Sequence, residues 1–316
     1  GATARGRQGI PLDLKSTEDC GSLKRLIAKC DVLIEGFRPG VMERLGLGPQ
    51  ALLELNPRLV YARMTGWGQS GPLSKTAGHD INYIAITGAL DAMGPANLPP
   101  PVPLNLVGDY GGGALYLLSG ILAAYIEAQR SGEGQVVDAA ICDATVSLMS
   151  LFHSLKAEGE WLPERGSNLI DGSAPFYRNY ECKDGRYLSV GALEPQFYAV
   201  LREIAGWSDA CFERQYERAH WPDMSRRAEE IMRARTRDEW VALFAGSDGC
   251  VAPVLSLQES TENTHLRERH CFVNIDGQLQ PAPAPRFSRT PSEARASMKS
   301  KSVDDFFSRW STPGQG

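Results

Sequence analysis

The sequence lacks several signatures that would place it quickly. It has no CxxC pair, no GxGxxG, no GxxxxGK[ST] and no GxSxG. A direct case for a metal ribbon, a Rossmann dinucleotide site, a P-loop or a serine-hydrolase elbow is therefore missing. Its seven cysteines (Cys20, Cys30, Cys142, Cys182, Cys211, Cys250, Cys271) are scattered and odd in number, which fits free thiols in a reducing compartment. Histidine is scarce, with five residues. His265 and His270 stand in a polar stretch without metal-ligand spacing, so no metal is expected. The net charge of −5 gives no basic excess for binding nucleic acid. The longest apolar run, Ala114–Ile126, is short for a bilayer and is followed by Glu127, so no membrane insertion is expected. No signal peptide is visible at the start, and the final "PGQG" is not a peroxisomal tripeptide. The expected location is cytoplasmic.

What is present is an ordinary globular composition, 42% hydrophobic and 22% charged, over 316 residues. That suffices for one large domain or two ordinary ones. After a short strand at Ile10–Leu14, "GSLKRLIAKCDVLIEGF" predicts a helix running into a buried strand, Val32–Phe37. "PRLVYARMTGWG" predicts another strand, Leu59–Met64. Helix and strand in alternation predict an α/β fold with a Rossmann-like parallel sheet. "GDYGGGALYLLSGILAAYIEAQRSGEG" predicts a long helix that opens on glycines and ends at Arg130. From about Tyr180 the texture changes to a hairpin with an Asp-Gly turn and Arg/Glu-rich helices, the pattern of a smaller α+β domain. The expected domains are 1–165, large; 176–268, small; and 269–316, a segment returning to the large domain.

Four groups of residues could carry chemistry. Asp109 precedes three glycines at a helix start, where N–H groups and the helix dipole favour negative charge. It could be a plain N-cap. Three glycines do more than a cap requires, because they let a ligand approach the backbone. His79 lies beside Asp80 at the edge of an apolar segment; such a histidine is structural or, steadied by its neighbour, a base near neutral pH. Glu194 stands at a strand end before Pro195, as a helix-start carboxylate or a site residue. Arg38, Arg44 and Arg63 cluster at predicted strand ends, where ligands of open α/β sheets bind and where arginine can hold phosphate.

Seven stretches, taken together, resemble the α-methylacyl-CoA racemases of the family III CoA-transferase superfamily: "DVLIEGFRPGVMERLGLGP", "NPRLVYARMTGWGQSGP", "AGHDINY", "PLNLVGDYGGG", "GQVVDAAICD", "DGSAPFY" and "GALEPQFY". The resemblance runs from about Leu12 to Ser288. It implies the family III CoA-transferase fold in an interlocked homodimer. It implies an isomerase acting on 2-methylacyl-CoA thioesters, with no cofactor beyond the coenzyme A of the substrate. By this resemblance His79 and Asp109 are the catalytic pair, and Asp80 and Glu194 their supporting carboxylates. Coenzyme A contacts fall on Leu12, Asp13, Leu14 and Lys15, on Gly78, His79, Asp80, Ile81, Asn82 and Tyr83, and near the phosphates on Arg38 and Arg44.

The implied chemistry is physically coherent. Inverting a stereocentre beside a thioester carbonyl requires a proton to leave one face and another to arrive on the opposite face. One flanking group must be ionised and the other protonated. The backbone N–H groups of Asp109–Gly112 are the expected donors to the enolate oxygen, each worth about 3 kcal/mol by the oxyanion-hole precedent. Asp80 and Glu194 are expected to orient His79. The pattern departs from the family at both ends: the family's opening strand–helix unit, of about 30 residues or more, is read as missing, and the tail as altered. Two other readings remain open. One is a CoA-transferase with Asp109 as acyl nucleophile. The other is a catalytically impaired CoA-binding homologue.

Overall fold

A computed structural model describes residues 2–300 and 302–310. The strands in chain order are β1 (Gln8–Gly9), β2 (Val32–Glu35), β3 (Val60–Thr65), β4 (Gln135–Ala140), β5 (Tyr177–Glu181), β6 (Tyr187–Gly191), β7 (Val251–Pro253), β8 (Phe272–Ile275), β9 (Gln278–Pro281) and β10 (Met298–Lys299). The helices that matter for the site are α1 (Thr17–Ile27), α2 (Val41–Arg44), α3 (Pro49–Leu55), α4 (Asp80–Ala85), a π-helix (Leu106–Leu115), α5 (Tyr116–Ser131), α6 (Ile141–Leu148), α7 (Ser150–Ala157), α8 (Pro195–Ala205) and α9 (Trp221–Met232). The fold is mixed α/β, as the alternation predicted.

The chain forms two compact units. The first comprises Gly1–Arg63, Gly120–Val137 and Leu255–Gly316; the second comprises Met64–Ser119 and Asp138–Val254. This division differs from the sequence boundaries, because 64–119 and 138–165 group with the predicted small domain and 255–268 does not. In the first unit β2 and β3 pair in parallel, Val32 opposite Val60 through Glu35 opposite Arg63. These strands belong to a three-stranded sheet in the order β2-β3-β4. Ser16 caps α1 by accepting from the Asp19 N–H, and Glu18 and Asp19 suit the positive end of the helix. Ile27, Met42, Leu47, Leu52, Leu59 and Tyr61 form the core. The C-terminal segment returns to the N-terminal part, with β10 pairing β1 in parallel. The predicted strand at Ile10–Leu14 is not formed. Leu12–Lys15 is loop and turn, because Asp13 and Ser16 divert its backbone hydrogen bonds into a turn.

In the second unit β5, β6 and β7 make an antiparallel sheet. Phe176, Tyr180, Leu188, Leu201, Trp207 and Phe212 lie among its fully buried side chains. Trp207 stacks on Phe212 with ring centres 4.8 Å apart. The predicted glycine-led helix forms, but its glycine-rich start is wound as a π-helix that continues into α5. The helical run is therefore Leu106–Ser131, 26 residues, which by length and composition alone reaches membrane-spanning size. The helix is longer than the apolar run that was expected to be too short, because the glycines before that run are helical too.

Candidate active site

His79 and Asp80 form the entrance to α4. His79 is the N-cap, in extended conformation, and its N–H donates to Asn82 Oδ1 at 3.1 Å. Asn82 thus serves the start of its own helix. Tyr83 donates its hydroxyl to the Gly78 carbonyl, and its ring stands edge-on to Trp67 at 4.8 Å. That ring occupies the space where side chains at Gly66 and Gly78 would project, so both positions require glycine. The backbone on the N-terminal side of His79 is therefore anchored, while its side chain is exposed.

Asp80 behaves differently from its neighbour. It is 7% exposed. Its Oδ2 accepts the backbone N–H of Asp109 at 2.6 Å, and its Oδ1 has no hydrogen-bond partner among the described residues. The carboxylate lies against Gly108, with Cγ 2.7 Å from where a Cβ there would stand. No hydrogen bond joins it to the His79 ring among the described residues. Glu194 is the exposed N-cap residue of α8, and no hydrogen bond joins it to His79 among the described residues. Burial, and then the Glu194 and Asp248 carboxylates, push the Cys250 thiol up.

Asp109 is inside the first turn of the π-helix rather than at its cap, which is Asn105. Asn105 Nδ2 donates to Asp109 Oδ2 at 3.3 Å. The shift follows from the winding: with i→i+5 closure, the Tyr110 N–H reaches back to the Asn105 carbonyl at 3.2 Å, drawing four more residues into the helix. Gly112 and Gly113 let this helix pack closely on α6. A Cβ on Gly112 would come 2.7 Å from Thr145 Oγ1 and 3.3 Å from the Ile141 carbonyl. The expected enolate donors are corrected by the same geometry. The Asp109 N–H already serves Asp80, and the N–H groups after it turn into the helix. The first-turn N–H groups of α4, Asp80 and Ile81, have no carbonyl one turn before them in their own helix.

The coenzyme candidates Leu12, Asp13, Leu14, Lys15, Arg38 and Arg44 all belong to the first unit. Asp13 is engaged locally: its N–H donates to Asp19 at 2.8 Å and its Oδ1 accepts from Lys15 N–H at 2.9 Å. Leu14 packs against the core. Arg38 and Arg44 are exposed. Arg63 is not a phosphate ligand. It is 6% exposed and held by Glu35 at 2.7 Å and Glu43 at 2.8 Å. Both carboxylates escaped the sequence reading, as did Trp67. The signal for Glu35 was a charge closing the apolar stretch "DVLIE".

A mixed α/β chain with an acidic residue on a glycine-rich helix start and a histidine at a helix cap has a family to answer to. The chain belongs to CoA-transferase family III, whose model matches residues 1–302. It is 45% identical to alpha-methylacyl-CoA racemase of Mus musculus, over 91% of this chain and 76% of that protein. The Homo sapiens racemase of that name is 41% identical, over 91% of this chain and 75% of its own length. The crystal structure of a CAIB/BAIF family protein from Brucella suis superposes with a TM-score of 0.82, covering 98% of this chain and 82% of that one. At 23% identity that likeness shows the fold alone.

Proposed function

We propose that this chain is an isomerase interconverting the two configurations of a 2-methylacyl-CoA thioester through an enolate. The observation that carries the reading is the joint between α4 and the π-helix. Asp80, next to His79, holds the backbone of Asp109 at 2.6 Å. The two bases the chemistry demands thus stand on elements tied together by one hydrogen bond, and the racemase relatives give the substrate class.

For one enantiomer, neutral His79 takes the α-proton and becomes imidazolium, while protonated Asp109 delivers its proton to the opposite face and becomes carboxylate. The reverse direction exchanges the roles, so each turnover conserves protons. The enolate oxygen faces the first-turn N–H groups of α4 in this reading. Asp80 supports Asp109 in this reading. Gly78, Ile81, Asn82 and Tyr83 are proposed to contact the thioester, and Leu12–Lys15, Arg38 and Arg44 to contact coenzyme A. The chain acts as a homodimer. That is supported by the exposed apolar side chains of Leu104, Leu106, Leu115 and Leu118 in the second unit, a set larger than isolated surface apolar residues require.

Incubation of (2R)- and (2S)-2-methylacyl-CoA in D2O tests the reading. Deuterium entering the α-carbon from either enantiomer, with no acyl acceptor present, is the expected result. CoA transfer to a free acid without exchange would instead establish the transferase reading with Asp109 as nucleophile. Coenzyme A binding without either reaction would establish a binding protein.

A further inference from the structure

Glu35 and Arg63 face each other in register on β2 and β3. Their side chains are 2% and 7% exposed. Arg63 Nε donates to Glu35 Oε1 at 2.7 Å, and its two Nη atoms reach both oxygens of Glu43 at 2.8 and 3.3 Å. The other Glu35 oxygen accepts the Phe37 N–H at 2.7 Å. One guanidinium therefore ties down the segment 35–43 near both its ends. Between them the chain turns through Gly40 at φ 83°, and the Val41 N–H closes the turn onto the Arg38 carbonyl at 3.1 Å.

Two arginines ride on this turn. A Cβ on Gly40 would lie 3.4 Å from Arg44 Nη1, so the Arg44 guanidinium folds back over the turn that carries Arg38. Neither makes an ion pair among the described residues. Glu35 and Glu43, the two carboxylates within 35–43, are both engaged by Arg63. The Arg63 side chain holds Glu43 below the usual carboxylate range, so Glu43 stays ionised and engaged at neutral pH. The turn thus presents two positive groups on a preset backbone.

We propose that Glu43 and Glu35, acting through Arg63, are positioning residues that preset Arg38 and Arg44 for the phosphates of coenzyme A. They would thereby set the preference for full coenzyme A thioesters over thioesters lacking the nucleotide. This rests on the CoA-thioester reading above. A carboxylate near a bound phosphate would by charge alone repel it, so the sign of the effect decides between positioning and simple electrostatics.

The test measures the calorimetric Kd of coenzyme A and the α-exchange rate with a 2-methylacyl-pantetheine thioester, which lacks the nucleotide. Glu43→Gln is expected to raise the coenzyme A Kd about tenfold with the pantetheine exchange rate unchanged. Arg63→Lys keeps the charge but loses the planar fork, and is expected to do the same; thermal melts identify a variant that fails to fold, and Glu43→Gln then stands alone. Arg38→Ala and Arg44→Ala report on the underlying reading. If they weaken coenzyme A binding while Glu43→Gln leaves it unchanged or tightens it, the positioning proposal is overturned and the coenzyme site stands. If both arginine variants bind coenzyme A like the native chain, the site itself is misassigned and the proposal falls with it.

Discussion

The Asp80 carboxylate accepts the backbone N–H of Asp109 at 2.6 Å, joining the start of α4 to the first turn of the π-helix. The bond spans 29 residues of sequence and is charge-assisted. It makes Asp80 a strut for the first turn of the π-helix. Asp80→Ala leaves a shielded N–H without its acceptor, at a cost of about 1–3 kcal/mol. A misplacement of Asp109 by about 1 Å costs roughly 100-fold in rate. The expected outcome is a lower melting temperature and a fall in kcat with little change in KM. Asp80→Asn retains an acceptor oxygen and should lose less on both counts.

His79 and Asp109 should be separable from stability. The His79 side chain is exposed and the Asp109 side chain partly so. His79→Ala and Asp109→Ala are each expected to lower racemisation by about 10²–10⁴-fold, the usual worth of a positioned acid or base. Thermal melts should stay near native. Normal turnover in either variant would contradict the two-base mechanism.

Close packing under the π-helix predicts a ranking of glycine variants. Gly112→Ala drives a methyl onto Thr145 Oγ1, which is itself fixed by its hydrogen bond to the Ile141 carbonyl at 2.7 Å. Neither group can yield, so a loss of about 1–3 kcal/mol is expected. Gly113→Ala meets first the end of Met64, a flexible side chain, and should cost less. Chemical denaturation of the two variants checks the order.

Breaking the buried Glu35–Arg63 pair from one side should be costly. Glu35→Ala leaves Arg63 with half its partners in a site 6% exposed, and a loss of about 3–5 kcal/mol is expected. The double variant Glu35→Ala/Arg63→Leu removes both charges there and should be milder. A double-mutant cycle by denaturant melts measures the difference.

Glu43 gives that network a pH signature. Its pKa is lowered from the ordinary 4.5, chiefly by the hydrogen bond from Arg63. A carboxylate with a depressed folded pKa contributes stability above its unfolded pKa, and the contribution is lost as pH falls through the folded value. Glu43→Gln should therefore be less stable than native at pH 7 and converge with it in strong acid. Parallel stability curves at all pH values would show that the charge contributes nothing.

Much of the fold was legible in the residues. The strands at Val32 and Val60 and the long glycine-led helix followed from apolar runs and punctuating glycines, because those patterns act over a few neighbouring positions. The strand expected at Ile10–Leu14 failed for a local reason: Asp13 and Ser16 offered side-chain and turn hydrogen bonds that outcompeted a short ladder. The helix starts ahead of Asp109, and nothing in "NLVGDYGGG" distinguishes π from α winding. The close contact of Gly112 with Thr145 and Ile141 of α6 accompanies that winding, and it is tertiary.

The sequence by itself determined which chemical groups this protein can use. It has one histidine–aspartate step, an aspartate before glycines, and arginines after apolar strands; its long motifs carried the family resemblance. Only the tertiary structure decided how those charges are spent. Arg63 looked like a ligand for phosphate and is consumed by Glu35 and Glu43. Asp80 looked like the support of His79 and holds Asp109 instead. A charge acts through distance and burial, and spacing along the chain encodes neither for residues brought together across 20 or 29 positions.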